Sequence, residues 1–265
     1  MRRRKNHTTW VDRTLNFIFR PDSLYALVLT FFLATYPSSV TDGMLRPSSE
    51  KPNLRIPLQY QTHGVDLSHH NGDIDWEKVS SHNQHHTAVK FCFLKATEGT
   101  DLIDKRFEAN WKGLKDKEIK RGAYHFFRPE TDPKLQALNY ILTVKPEKGD
   151  FVPVLDWEVL GRGASKRNIV RNVGLWLDII EKHYGVKPII YTNRYIYDTY
   201  VKEYFQEHPL WISQYNVPEP AGFDLDKVYF WQYSTIGQVP GIESNVDFNV
   251  FLKDDFDFER ITFRQ

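Results

Sequence analysis

From His63 onward the chain alternates between short runs rich in β-branched and aromatic residues and segments with helical spacing. The runs lie around Gly64 to Ser68, Ala88 to Ala96, Gly122 to Phe127, Val152 to Glu158, Pro188 to Thr192, Leu210 to Gln214, Tyr229 to Ser234 and Val246 to Phe251, and they predict eight strands. Between the first six, apolar residues recur with helical period. The clearest stripe is Ile169, Val173, Trp176, Leu177 and Ile180, and Phe107, Trp111 and Leu114 form a second. Asp132 before Pro133 supplies a capping acid and a first-turn proline, and Leu135, Leu138 and Leu142 follow on one face. Ile74 to Ser81 and Ile196 to Phe205 are weaker helices. The gaps after the sixth strand, Asn216 to Lys227 and Thr235 to Asn245, hold Pro, Gly and Asp and read as loops. About five βα units followed by three loop-connected strands predict an α/β fold, an irregular TIM-like barrel of (β/α)5(β)3 form. An open doubly wound sheet is the alternative, but no Gly-x-Gly-x-x-Gly turn or phosphate-binding loop supports it.

The segment before the barrel has a different character. Arg2, Arg3, Arg4 and Lys5 precede an uncharged apolar stretch from Leu24 to Tyr36, about 13 residues and short for a membrane span. Residues 1–36 therefore read as a signal peptide or an uncleaved signal anchor, which predicts export and leaves a membrane tether open. Residues 37–62, with Pro37, Pro47, Pro52 and Pro57 among Ser and Asn, read as a linker without its own core, and 63–265 as the folded domain. A composition of 41% hydrophobic and 15% aromatic residues suffices for a large core. Lys plus Arg total 35 against 34 Asp plus Glu, so there is no basic surplus to hold nucleic acid. The one cysteine, Cys92, lies in an apolar run and reads as a core thiol.

In such a barrel the active site lies at the C-terminal strand ends, and functional residue types concentrate there. The strand ends carry Asp66, Lys95 with Glu98, Tyr124 with His125, Asp156 with Glu158, Tyr191, Gln214 with Tyr215, Trp231-Gln232-Tyr233, and Asp247 with Asn249. Asp156 and Glu158 share a face of one strand, with Cα atoms roughly 7 Å apart. Like charges that close separate in pKa, so one carboxyl can stay protonated as a general acid while the other ionises. A polar strand end with two solvated acids is the other reading of this segment. Acids facing a cleft walled by aromatics suit a carbohydrate, whose ring faces stack and whose hydroxyls need acceptors. Glu98 also reads as a turn residue paired with Lys95 or Lys105, and Trp231 and Tyr233 as packing of the barrel wall. His69, His70, His82, His85 and His86 lie in predicted loops without metal-ligand spacing, so no metal is expected.

The ordered motifs Gly64-Val-Asp-Leu-Ser-His-His-Asn-Gly72, Lys95-Ala-Thr-Glu-Gly-Thr100, Gly122-Ala-Tyr-His-Phe126, Leu155-Asp-Trp-Glu158, Trp231-Gln-Tyr-Ser234 and Val246-Asp-Phe-Asn249 resemble those of the glycoside hydrolase family 25 lysozymes, the Chalaropsis-type muramidases, over about residues 63 to 252. Asn71 departs from the Gln found in many relatives. The resemblance implies cleavage of the β-1,4 bond between N-acetylmuramic acid and N-acetylglucosamine in peptidoglycan, with net retention. It assigns Glu158 as general acid and base, Asp156 as nucleophile or as the carboxylate that assists the substrate's acetamido group, and Asp66 and Asp247 as the other cleft acids. Glu98, Tyr124, His125, Tyr191, Gln214, Trp231, Gln232 and Tyr233 are the expected substrate contacts. No cofactor is implied, and the enzyme is expected to act as a monomer. A chitinase-like hydrolase and a non-catalytic glycan-binding barrel are the competing readings.

Overall fold

The computed structural model of the chain describes residues 45–47, 55–82 and 88–264. The basic N-terminus and the apolar stretch from Leu24 to Tyr36 lie outside these residues, as do His85 and His86. Among the described residues no helix is long and apolar enough to cross a membrane.

Two short strands, β1 (Leu45–Pro47) and β2 (Arg55–Pro57), pair antiparallel. The barrel consists of β3 (His63–Leu67), β4 (Val89–Glu98), β6 (Lys120–Phe126), β7 (Val154–Asp156), β8 (Ile189–Asn193), β9 (Leu210–Ser213), β10 (Val228–Gly237) and β11 (Val246–Phe251), with β5 (Leu102–Ile103) folded back on the end of β4. The strand order β3-β11-β10-β9-β8-β7-β6-β4 is closed by a β3–β4 pairing, so the barrel has no free edge. All eight expected strands are present. β11 runs antiparallel to both β10 and β3. Its first residues therefore lie at the same mouth as the last residues of the parallel strands, which brings Asp247 level with Asp66.

Helical segments follow β3, β4, β6, β7 and β8, and loops follow β9 and β10. The longest helix, Lys166–Tyr184, buries Ile169, Val173, Trp176, Leu177 and Ile180, the stripe its sequence predicts. Ser165 caps its start by accepting the N–H of Asn168, and Gly185 ends it in the left-handed region at φ 72°.

Aromatic side chains fill the barrel. Phe91, Phe93, Phe151, Tyr191, Trp211, Phe230 and Phe251 form one inner cluster, each ring contributing about 1.5–3 kcal/mol by burial. Glycine makes room for two of them: a Cβ on Gly64 would stand 2.4 Å from Phe91, and one on Gly122 would stand 2.6 Å from Phe93. Cys92 points the other way into the layer between barrel and helices, as a buried core thiol.

Two expectations change. Leu135, Leu138 and Leu142 do share a face of the helix Pro133–Thr143, but that face is exposed, Leu142 by 67%. The helix packs instead through Ala137, Tyr140, Gln136 and Asn139. Its polar members hold backbone on other elements: Gln136 Nε2 donates to Arg128 O at 2.8 Å, and Asn139 Nδ2 donates to Leu102 O at 3.1 Å. The second change concerns the stretch read as linker. β2 lies within it, Ile56 is buried in the core, and Tyr60 meets the Trp231 ring edge-on at 6.3 Å.

Candidate active site

The strand ends at the C-terminal mouth bring Asp66, Asp156, Glu158 and Asp247 together. Asp156 is the last residue of β7, and Glu158 lies beyond it on the connection that follows. Trp157 between them points outward against Tyr200 and Phe205, its Nε1 donating to Val159 O at 3.0 Å. Burial, and then the neighbouring charge of Glu158, holds the Asp156 carboxyl well above its usual range. Its Oδ1 atom is buried without a hydrogen-bond partner. Glu158 is open to solvent at the cleft surface. It is nevertheless ringed by protein, and desolvation, followed by the charge of Asp66, pushes its carboxyl up to about 7. Lys95 and Arg128 pull in the opposite direction. The pair therefore holds a proton at neutral pH, as a proton donor to a glycosidic oxygen must.

Asp66 is held by amides. Gln232 Nε2 and Asn249 Nδ2 both donate to its Oδ2 at 2.8 Å. Each amide is oriented in turn: Tyr191 donates to Gln232 Oε1 at 2.9 Å, Tyr215 donates to the same oxygen, and Trp211 Nε1 donates to Asn249 Oδ1 at 2.7 Å. Besides these two N–H groups, the Asp66 carboxyl meets that of Asp247. Burial raises Asp66 to about 6 and raises Asp247 well above its ordinary value, with the charge of Asp66 next among the causes for Asp247.

Several expected contacts stand elsewhere. His125 faces the helices: Thr97 Oγ1 meets its Nδ1 at 2.7 Å, Nε2 meets Gln136 Oε1 at 3.1 Å, and Trp176 stacks on the ring at 5.5 Å. Because Gln136 Oε1 also accepts the Arg128 N–H, it is the acceptor, so His125 carries its hydrogen on Nε2. Trp231 and Tyr233 likewise point outward, Trp231 donating to Gln214 O at 2.7 Å and Tyr233 stacking on Phe248 at 6.0 Å. The Gln214 side chain turns to its own loop, its Oε1 accepting Ala221 N–H at 2.8 Å. Glu98 faces the mouth, but both its oxygens are held by cations. Alternation explains the outward set: Gln232 points into the barrel, so its two neighbours point out. The aromatic residues beside the acids are Tyr124, Tyr191 and Tyr215. Tyr124 stands near enough to Asp66, Asp156 and Asp247 that their charges add to burial in raising its pKa.

Sequence reasoning missed Arg128, Phe126 and the supporting role of Asn249. Arg128 lies two residues past the end of β6, and that position is its only signal. His69 is not a solvated loop residue: its Nδ1 lies 2.7 Å from Oδ2 of the buried Asp104, which also accepts the N–H of His69 and of Arg106. Asn71 ties its turn to the opposite loop, donating to Ser244 Oγ at 3.0 Å and Asn245 O at 3.1 Å.

A (β/α)5(β)3 barrel whose mouth gathers carboxyls of raised pKa beside tyrosines is the form of a glycoside hydrolase. The chain belongs to the glycosyl hydrolases family 25, whose match spans residues 65–242. It is 40% identical over 198 residues to YegX, an uncharacterized protein of Escherichia coli, covering 75% of this chain and 72% of YegX. It is 30% identical over 203 residues to Lysozyme M1 of Streptomyces globisporus, covering 71% and 67% of the two chains. The structure of a family 25 glycosyl hydrolase from Bacillus anthracis matches with a TM-score of 0.70 at 29% identity, covering 85% of this chain and 100% of that one.

Proposed function

We propose that the protein is a muramidase that hydrolyses the β-1,4 bond between N-acetylmuramic acid and N-acetylglucosamine in peptidoglycan with net retention. The observation that carries this reading is the Asp156–Glu158 pair, two interacting carboxyls of raised pKa at one strand end. The likeness to Lysozyme M1 supports the substrate.

In this reading the protonated Glu158 carboxyl gives its proton to the glycosidic oxygen as the bond to the sugar's C1 breaks. Asp156 accepts the N–H of the 2-acetamido group through Oδ1, the buried oxygen without a protein partner, a contact that favours its ionised form and leaves the shared proton on Glu158. That contact orients the acetamido oxygen to bond to C1. Water then attacks C1 as the bond from C1 to the acetamido oxygen breaks and the acetamido group re-forms, Glu158 takes the water's proton, and the second inversion restores the original configuration. Asp66 and Asp247 bound the cleft, and the charge of Asp66 helps to keep Glu158 protonated. Direct attack by Asp156 on C1 is the other route to retention. The reaction calls on no cofactor, and the domain acts as a monomer on glycan strands outside the cytoplasmic membrane. The basic and apolar N-terminal segment serves as export signal or tether.

Digestion of purified peptidoglycan, with mass spectrometry of the soluble fragments, tests the proposal. Fragments with muramic acid at the reducing end are expected. Reducing-end glucosamine would contradict the bond assignment. Cleavage of chitin oligosaccharides with peptidoglycan left intact would favour a chitinase-like enzyme.

A further inference from the structure

Lys95 lies on β4 two residues beyond Phe93, so by strand alternation it points into the barrel, as Phe91 and Phe93 do. Its side chain is only 11% exposed. An ammonium that deep needs an opposite charge, and its Nζ donates to Glu98 Oε2 at 2.6 Å. The same atom lies 4.9 Å from the centre of the Phe126 ring, whose face attracts a cation. Two contacts, one on β4 and one on β6, thus hold the end of a long flexible side chain in one place.

That place borders the catalytic pair. Phe126 stands beside Asp156 in the register of β6 and β7, and adjacent strands are about 4.8 Å apart. The Lys95 charge favours the ionised form of both Asp156 and Glu158. On Asp156, burial works the other way, and so do the charges of Glu158, Asp66 and Glu98. On Glu158, Arg128 acts in the same sense as Lys95, from a position where it binds Glu98 Oε1 and covers the same ring. Asp247 stands in the field of Glu158 and is raised with it. The other titratable neighbours of Lys95 carry no charge at pH 7. Tyr124, opposite it on β6, is raised by burial and then by the acids. Burial, with Lys95 among the charges that add to it, lowers His70 and His125.

The chemistry requires one proton on the pair, because Glu158 must give a proton while Asp156 receives an N–H as an anion. Burial and crowded carboxyls favour two protons. We propose that Lys95 is a positioning residue for this reaction: clamped by Glu98 and Phe126, its ammonium holds the Asp156–Glu158 pair at a single proton. The proposal rests on the muramidase reading above, and it gives a residue behind the acids the task of setting the pH range in which the cleft works. Glu98 has two parts in the arrangement. It anchors the cation, and its own charge offsets that cation in part.

The test is the pH profile of kcat/KM on purified peptidoglycan for wild type, Lys95→Met and Glu98→Gln. The pair titrates as a unit, and activity of the singly protonated form gives a bell between two apparent pKa values. Lys95→Met removes the charge and keeps much of the bulk. Both limbs are expected to move to higher pH by about one unit, so that activity on the acid limb falls about tenfold while activity on the basic limb rises. Glu98→Gln removes a negative charge that favours protonation of Asp156, and its profile is expected to move to lower pH. A packing defect lowers the height of a profile without displacing its limbs in opposite directions in the two variants. Lys95→Arg, which keeps the charge, is expected to restore the wild-type limb positions. Should Lys95→Met fold poorly, as its Tm would show, the Glu98→Gln profile decides alone. Limbs of folded Lys95→Met that stay in place or move down overturn the proposal, and so does a Glu98→Gln profile that fails to move down. Wild type that leaves peptidoglycan uncut overturns the muramidase reading itself.

Discussion

Asp66 and Asp247 stand directly opposite each other on the antiparallel strands β3 and β11, with their carboxyl side chains hydrogen-bonded. Two carboxyls in such contact share a proton, and the two amide donors on Asp66 Oδ2 make Asp66 the partner better suited to carry the negative charge. That charge, after burial, is what lifts Glu158 to about 7.

Asp66→Asn removes the charge and is expected to lower the pKa of Glu158. The general acid then loses its proton at a lower pH, so the basic limb of the kcat/KM profile moves down and activity at pH 7 falls. A pH–rate profile of the variant checks this, and an unmoved basic limb contradicts the link between the two acids.

Gln232→Leu tests the support beneath Asp66. The change takes away the amide oxygen to which the hydroxyls of Tyr191 and Tyr215 both donate and removes one of the two donors to Asp66. Each buried polar group left without a partner costs about 1–3 kcal/mol. A lowered Tm together with a reduced kcat is expected. Wild-type values of both would show that the network is dispensable.

His125 governs stability at acid pH. Buried between Thr97, Gln136 and Trp176, it takes a proton only near pH 4, against the usual 6.5. The unfolded chain is protonated first as pH falls, so stability present in full above pH 6.5 is lost progressively toward pH 4, by about 3 kcal/mol for a shift of this size. His125→Gln removes this component, and denaturant midpoints from pH 7 to pH 4 are expected to fall less steeply in the variant. Parallel slopes would contradict the assignment.

The two faces of packed helices offer a contrast. Trp176→Ala empties the layer between barrel and helices and is expected to cost about 3–5 kcal/mol. Leu142→Ser alters a side chain already 67% exposed and is expected to change stability by less than about 0.5 kcal/mol. Chemical denaturation of the two variants checks the difference.

Much of the architecture was legible in the chain because the cues were local. Short β-rich runs bounded by turn residues marked eight strand ends, and Ile169 to Ile180 marked the buried face of the longest helix. Periodicity tells which residues share a face but not what that face meets. Leu135, Leu138 and Leu142 were read together correctly, yet Gln136 and Asn139 took the inner face because carbonyls of Arg128 and Leu102 wait there for their amides. The same limit explains Trp231 and Tyr233. β10 is buried on both sides of the barrel wall, so hydrophobicity does not separate its inward from its outward positions. Only the partners of Gln232 show which way the strand turns. Arg128 escaped notice because its importance comes from Glu98, on a neighbouring strand thirty residues earlier in the chain.

The central claim is that the Glu158 carboxyl supplies the proton for glycosidic cleavage, and turnover of purified peptidoglycan by Glu158→Gln tests it most directly. The variant keeps the shape of the side chain, so its circular dichroism and Tm are expected to match a folded wild type while turnover falls by about 10²- to 10⁴-fold. Near-wild-type turnover by the folded variant would contradict the account.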